Sequence, residues 1–142
     1  MKQMKRLVIA ILASVLACTS CRSPHNKSGA DERNYTEDYV PRDLNDCIVY
    51  SERTLSPADI ATLKGESEDD LAKYHFSFGM GLRNAWGLWR GSRLARWFNT
   101  QGIFHPDDMS GIILHSFWRH LNGKPIQLEE QVQVYQDHWK KQ

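Results

Sequence analysis

Cysteine is scarce in this chain, with three in 142 residues, at positions 18, 21 and 47. Only Cys47 lies in the part able to form a core, which excludes a multi-disulfide scaffold. Long apolar runs are missing as well. The stretch Leu7 to Ala17 is eleven residues interrupted by Ser14, whereas a membrane-spanning helix takes about 20. An excess of one charge is also absent. The formal net charge is +1, and without a basic face to neutralise phosphates nucleic acid is set aside as a partner. No alternating polar and apolar run is long enough to argue for a sheet. There is no H-E-x-x-H, and with one cysteine in the folded part no structural metal is expected. Ser110 lacks the G-x-S-x-G setting of a hydrolase nucleophile. No cofactor is expected.

What is present begins with an export segment. Met1 to Arg6 carries Lys2, Lys5 and Arg6 ahead of the apolar run, the charged and apolar regions of a secretory signal. Removing those three charges from the formal +1 leaves about −2 on the rest. Val15-Leu16-Ala17-Cys18 resembles the lipobox of bacterial lipoproteins, which implies cleavage after Ala17 and lipid modification of Cys18, with Cys21 as second choice. Several acyl chains on one residue would hold the protein at a membrane surface, facing the periplasm or the cell exterior. An ordinary signal peptide cleaved near Ala17 is the alternative. In that oxidising compartment Cys47 could pair with Cys18 or Cys21, although a buried free thiol is the preferred reading. Residues 18–34 read as a flexible tether, since Arg22 to Asn34 contains no large apolar residue to offset the entropy of ordering.

Residues 35–142 read as one all-α domain, a small bundle of about five or six helices, with five Trp, five Tyr and five Phe in the whole chain to fill its core. Asp43 caps a first helix with Leu44, Cys47, Ile48 and Leu55 at helical spacing. Ser56-Pro57 starts a short helix that ends at Gly65. Ser67 opens a long central helix whose Leu71, Tyr74, His75, Phe78, Leu82, Ala85, Trp86 and Trp89 share one arc. Gly79 and Gly81 within it imply a close neighbour, and Gly87 and Gly91 mark breaks. Ser92 caps a helix to about Thr100. Pro106, with Asp107 and Asp108 in its first turn, starts a longer helix to Asn122-Gly123, apolar over more than half its circumference. An amphipathic segment from about Leu128 to Lys140 closes the chain.

Three linked motifs then become recognisable. Phe78-Gly79-Met80-Gly81-Leu82-Arg83-Asn84-Ala85-Trp86-Gly87-Leu88-Trp89, Gly91-Ser92-Arg93-Leu94 and Gly102-Ile103-Phe104-His105-Pro106-Asp107-Asp108-Met109-Ser110, closed by Asn122-Gly123-Lys124-Pro125-Ile126, resemble an uncharacterised bacterial domain family. The resemblance runs over about residues 42–140 and implies no activity. Glycine is common in that family at the position of Arg90.

Two polar constellations stand out. Asp108, His115 and Arg119 lie within about 40° on the wheel of their helix at about 100° per residue, a charged strip opposite its apolar arc. It serves either a site, with His115 as base or ligand and Arg119 holding an anion, or simply a solvated face, the preferred reading. His105, Asp107 and Asp108 at the helix start are explained by capping before catalysis. His75 and His120 fall in apolar arcs and read as core histidines. Arg83, Asn84, Trp86, Trp89, Arg90 and Arg93 form the second constellation. Arginine with tryptophan at this density suits stacking on a sugar or peptide, or an internal lock of Arg83 or Arg93 on Asp107 or Asp108, which is preferred. The expected function is a non-enzymatic binding module for an envelope protein or cell-wall ligand. Its surface would comprise Arg83, Asn84, Trp86, Trp89, Arg93, His105, Asp108 and Arg119. The alternatives are an envelope hydrolase using Asp107, Asp108 and His115, and a purely structural lipoprotein.

Overall fold

The computed structural model describes residues 38–141. The expected signal segment, the lipidation candidates Cys18 and Cys21, and the expected tether lie outside the described residues. Six α-helices run in order among the described residues: α1 (Leu44–Thr54), α2 (Pro57–Lys64), α3 (Met80–Ala85), α4 (Arg93–Thr100), α5 (Pro106–Leu121) and α6 (Leu128–Lys140). No strand occurs among the described residues, so the architecture is the expected all-α bundle.

The caps act as the sequence requires. Asp43 accepts the Asp46 amide at 2.8 Å to start α1, and Ser56 accepts the Asp59 amide at 3.1 Å with Pro57 in the first turn of α2. Ser92 accepts the Ala95 amide at 3.3 Å to start α4. At α5 the cap is His105, whose Nδ1 accepts the Asp107 amide at 3.3 Å.

α5 is the axis of the fold, with ten of its sixteen residues buried. Met109, Ile112 and Ile113 join one core with Leu44, Cys47, Leu82, Trp86, Leu94 and Phe98. Leu114, Phe117 and Trp118 join a second with Ile48, Leu63 and Leu71. Burying each large apolar side chain is worth about 1.5–3 kcal/mol, so apolar residues around most of the wheel are what a helix packed on several sides needs. Cys47 is a fully buried free thiol, and burial, reinforced by Asp46 and Asp43, pushes its pKa up and leaves it unreactive.

The expected long central helix is not continuous. Asp69–Tyr74 is a 3-10 turn, His75–Gly79 a π-helical turn, α3 follows, and Leu88–Arg90 is a second 3-10 turn. Glycines account for the last two breaks and for one close approach. A Cβ on Gly79 would lie 3.1 Å from Arg83 Nη1, and Gly87 and Gly91 adopt left-handed φ values of 61° and 65°. Leu71 and Leu82 still face the core, whereas Trp89, beyond the Gly87 turn, leaves the arc and is exposed.

No helix among the described residues is long and apolar enough to cross a membrane.

Candidate functional site

The first turn of α5 carries two adjacent carboxylates that serve different neighbours. Asp107 meets the buried Arg83, whose Nε lies 3.0 Å from Asp107 Oδ1. The Nε–H is misaligned for a hydrogen bond, so this contact is one of charge. The rest of the guanidinium is bonded, Nη1 donating to Ser110 Oγ at 2.8 Å and Nη2 to the His75 carbonyl at 3.2 Å. Arg83 therefore ties α3 and the π-helical turn to α5, the internal lock preferred from the sequence. Gly79 allows that approach. At 5% exposure Arg83 is unavailable to a ligand.

Asp108 turns the other way, towards α6. It is 9% exposed and accepts the Trp139 indole N–H at 2.7 Å. α6 has no fully buried residue; it packs Leu128, Val132 and Tyr135 half-buried against the core and approaches α5 and the loop before it closely at two glycines. A Cβ on Gly111 would run into the Tyr135 hydroxyl, and one on Gly102 into the Gln136 amide. Gln131 Nε2 donates to Ser116 Oγ at 3.0 Å.

Between α6 and the Gly102–His105 loop lies an open groove of about 560 Å³, with Phe104, His105, Asp108, Gln136, Trp139 and Lys140 among its walls. That volume falls within the range of about 300–1,000 Å³ usual for small-molecule sites. The aromatic groups continue beyond it. The His105 ring lies 5.6 Å from Trp139 and 5.7 Å, edge-on, from Trp89. Phe104, Trp89 and Trp139 are 72%, 56% and 49% exposed. His75 and His105 flank Asp107 at 3.7 and 3.6 Å, and Phe76 meets His75 edge-on, so the same face extends to the π-helical turn.

The cap fixes the chemistry of His105. With Nδ1 accepting the Asp107 amide, the neutral imidazole carries its proton on Nε2 and offers a donor there rather than a base.

The other expected residues are dispersed. His115 and Arg119 do not form a solvated strip with Asp108, because Glu68, just before the 3-10 turn, covers the first two and α6 covers Asp108. Arg119 Nε donates to Glu68 Oε1 at 2.7 Å, and His115 lies 3.8 Å from the same oxygen. Burial pushes the Glu68 carboxyl up, but Arg119, with Lys124 and His115, outweighs it and leaves the pKa below its ordinary value. Burial lowers the His115 pKa, with Glu68 opposing. Trp86 is a core residue packed edge-on against Tyr50, so it is not part of a recognition rim. Arg93 pairs with neither Asp107 nor Asp108. Its guanidinium donates to the Val40 carbonyl, from Nε at 2.6 Å, and lies over Tyr39. His120 is exposed beside Glu52 at 3.0 Å instead of sitting in an apolar arc, and His75 is likewise partly exposed. Asn84 is exposed. Among the described residues no group of three or more His, Cys, Asp or Glu side chains is placed to hold a metal ion.

The sequence reading missed Phe104, Gln136, Trp139 and Lys140 as site residues. Gly102 and Gly111 were the available signal, since each marks a seat for a neighbour.

Fold and site together define an all-α domain built on one buried helix, with an aromatic groove at the start of that helix. Residues 40–121 match a family described as a domain of unknown function, DUF6794, and the chain belongs to that family. No curated protein and no solved structure matches it. The match ends with α5, so the Asn122–Ile126 turn and α6, included in the resemblance read from the sequence, lie beyond the matched segment.

Proposed function

We propose that the chain is an exported lipoprotein, anchored through Cys18, whose domain is a non-enzymatic binding module at the cell envelope. Its recognition surface is the groove and the aromatic face around it: Trp89, Phe104, His105 and Trp139, with Asp108. The carrying observation is the exposure of Phe104, Trp89 and Trp139 around one groove. Exposed aromatic area that the core does not need, gathered with a few polar groups, marks an interaction surface. The hydrolase reading has less support. It needs Asp107, Asp108 and His115 to converge, and they engage Arg83, Trp139 and Glu68 respectively.

Two experiments test the proposal. Labelled palmitate fed to bacteria expressing the full chain should enter the wild type and not Cys18→Ser. Label retained by Cys18→Ser and lost on Cys21→Ser would move the anchor. The purified protein should sediment with isolated cell-wall sacculi, and Phe104→Ser should release it. Equal sedimentation of wild type and variant would remove the groove from the proposal.

A further inference from the structure

We infer that the groove takes a neutral sugar ring of a glycan chain; this rests on the reading above that the aromatic groove is the recognition surface. The formal charges on its walls are Asp108 and Lys140, and each is already engaged, Asp108 by the Trp139 N–H and Lys140 by Asp137 at 3.2 Å, which favours an uncharged occupant. Lys140 opposes an ammonium or guanidinium ligand and Asp108 opposes a carboxylate or phosphate. A purely apolar ligand fits less well, because Asp108, His105 and Lys140 each keep hydrogen-bonding capacity beyond the bonds they make to Trp139, the Asp107 amide and Asp137, and it would replace the water there with nothing.

A pyranose ring has the complementary surface: a flat C–H face and a rim of hydroxyls that both donate and accept. Phe104 and Trp139 supply exposed ring area for the C–H face. The Trp139 ring is held in advance, since its N–H is engaged by Asp108 while about half of the residue remains exposed. A side chain fixed before binding loses little freedom on binding. The hydroxyl rim finds acceptors and donors together. An ionised carboxylate has about four lone-pair sites, so Asp108 keeps acceptor capacity beyond the Trp139 bond. His105 adds its Nε2–H, Gln136 the amide capacity left after its bond to the Gln101 carbonyl, and Lys140 the N–H donors left after its bond to Asp137. The groove is open to solvent, which suits a unit within a chain.

The test uses the purified full-length protein with four probes: N-acetylated chitotriose, cellotriose, trilysine and trialanine made neutral by N-acetylation and C-terminal amidation. Tryptophan fluorescence titration gives affinity, and saturation-transfer NMR reports which ligand protons touch the protein. At least one trisaccharide should bind, with transfer strongest to its ring C–H protons. Phe104→Ser, which alters an exposed side chain and leaves the core untouched, should weaken binding about tenfold or more. Trp139→Phe should weaken it less than Trp139→Ala, with circular dichroism verifying the fold of each. Binding of trilysine or trialanine alone, with the same dependence on Phe104 and Trp139, would overturn the sugar and keep the groove. Trisaccharide binding untouched by all three variants would overturn the location. Binding of none of the four probes would overturn the sugar inference, and if Phe104→Ser also sedimented with sacculi like the wild type, the groove reading would fall with it.

Discussion

α5 and α6 lie side by side and are buried to very different degrees. α5 buries ten of sixteen residues, while α6 buries none of thirteen. The first is held by fully buried apolar contact on several sides, whereas the second packs Leu128, Val132 and Tyr135 against the core only half-buried and adds polar contacts at Gln131, Gln136 and Trp139. Elements with few buried contacts open at lower free energy than the core. The groove therefore has one rigid wall, set by α5 and its preceding loop, and one wall whose position depends on a handful of side chains.

The sharpest way to break this contrast is to cut into each helix. Phe117→Ala should cost about 3–5 kcal/mol in denaturant unfolding, while Val134→Ala on the exposed side of α6 should stay within about 0.5 kcal/mol. Comparable losses would mean that α6 belongs to the core. Next in size is the lock between α3 and α5. Arg83→Met removes hydrogen bonds to Ser110 and the His75 carbonyl, and Asp107, one-third exposed, can rehydrate. A loss of about 1–3 kcal/mol is expected, and an unchanged midpoint would show that the lock is dispensable. Gly111→Ala should cost about as much but locally, because Tyr135 must move. Hydrogen exchange should speed up in α6 and stay unchanged in the middle of α5. Faster exchange in both would deny α6 its independence.

The smallest effect is on pH. Both Glu68 and His115 have folded-state pKa values below their ordinary 4.5 and 6.5, so their contribution is complete at higher pH and lost on acidification. The thermal midpoint should begin to fall below pH 6.5 as His115 becomes charged. It should fall again below pH 4.5 as Glu68 takes up its proton and releases Arg119. Each step is expected to stay under about 1 kcal/mol for a partly exposed pair. His115→Gln should abolish the upper step alone, and a midpoint rising on acidification in either range would contradict the assignment.

What could be read from the sequence follows the same division. The boundaries of α1, α2, α4 and α5 were legible because Asp43, Ser56-Pro57, Ser92 and Pro106 are local signals that need no tertiary partner. α5 was recognisable as the packed helix from its wheel alone. The breaks at Gly87 and Gly91 are legible as glycines, but the stretch before them reads as one helix because a wheel assumes one helical period, whereas 3-10 and π turns change it twice before Gly87 ends the run. The Arg83–Asp107 lock was legible as two complementary clusters. Asp108 was misassigned to a solvated strip because a wheel describes one helix and not what covers it. Nothing in the spacing of Tyr135 and Trp139 says which face of α5 they meet. The glycines at 102 and 111 carried that information, and only as positions where a side chain would be in the way.

The central claim, that ligand enters between the Gly102–His105 loop and α6, can be tested on five built-in reporters, the indole N–H resonances of Trp86, Trp89, Trp97, Trp118 and Trp139. Titrating the labelled full-length protein with soluble glycan fragments released from sacculi should shift Trp139 most and Trp89 next, leaving the core indoles of Trp86 and Trp118 in place. Shifts confined to Trp118, beside the Glu68–Arg119 cluster, or no shift in any of the five, would contradict it.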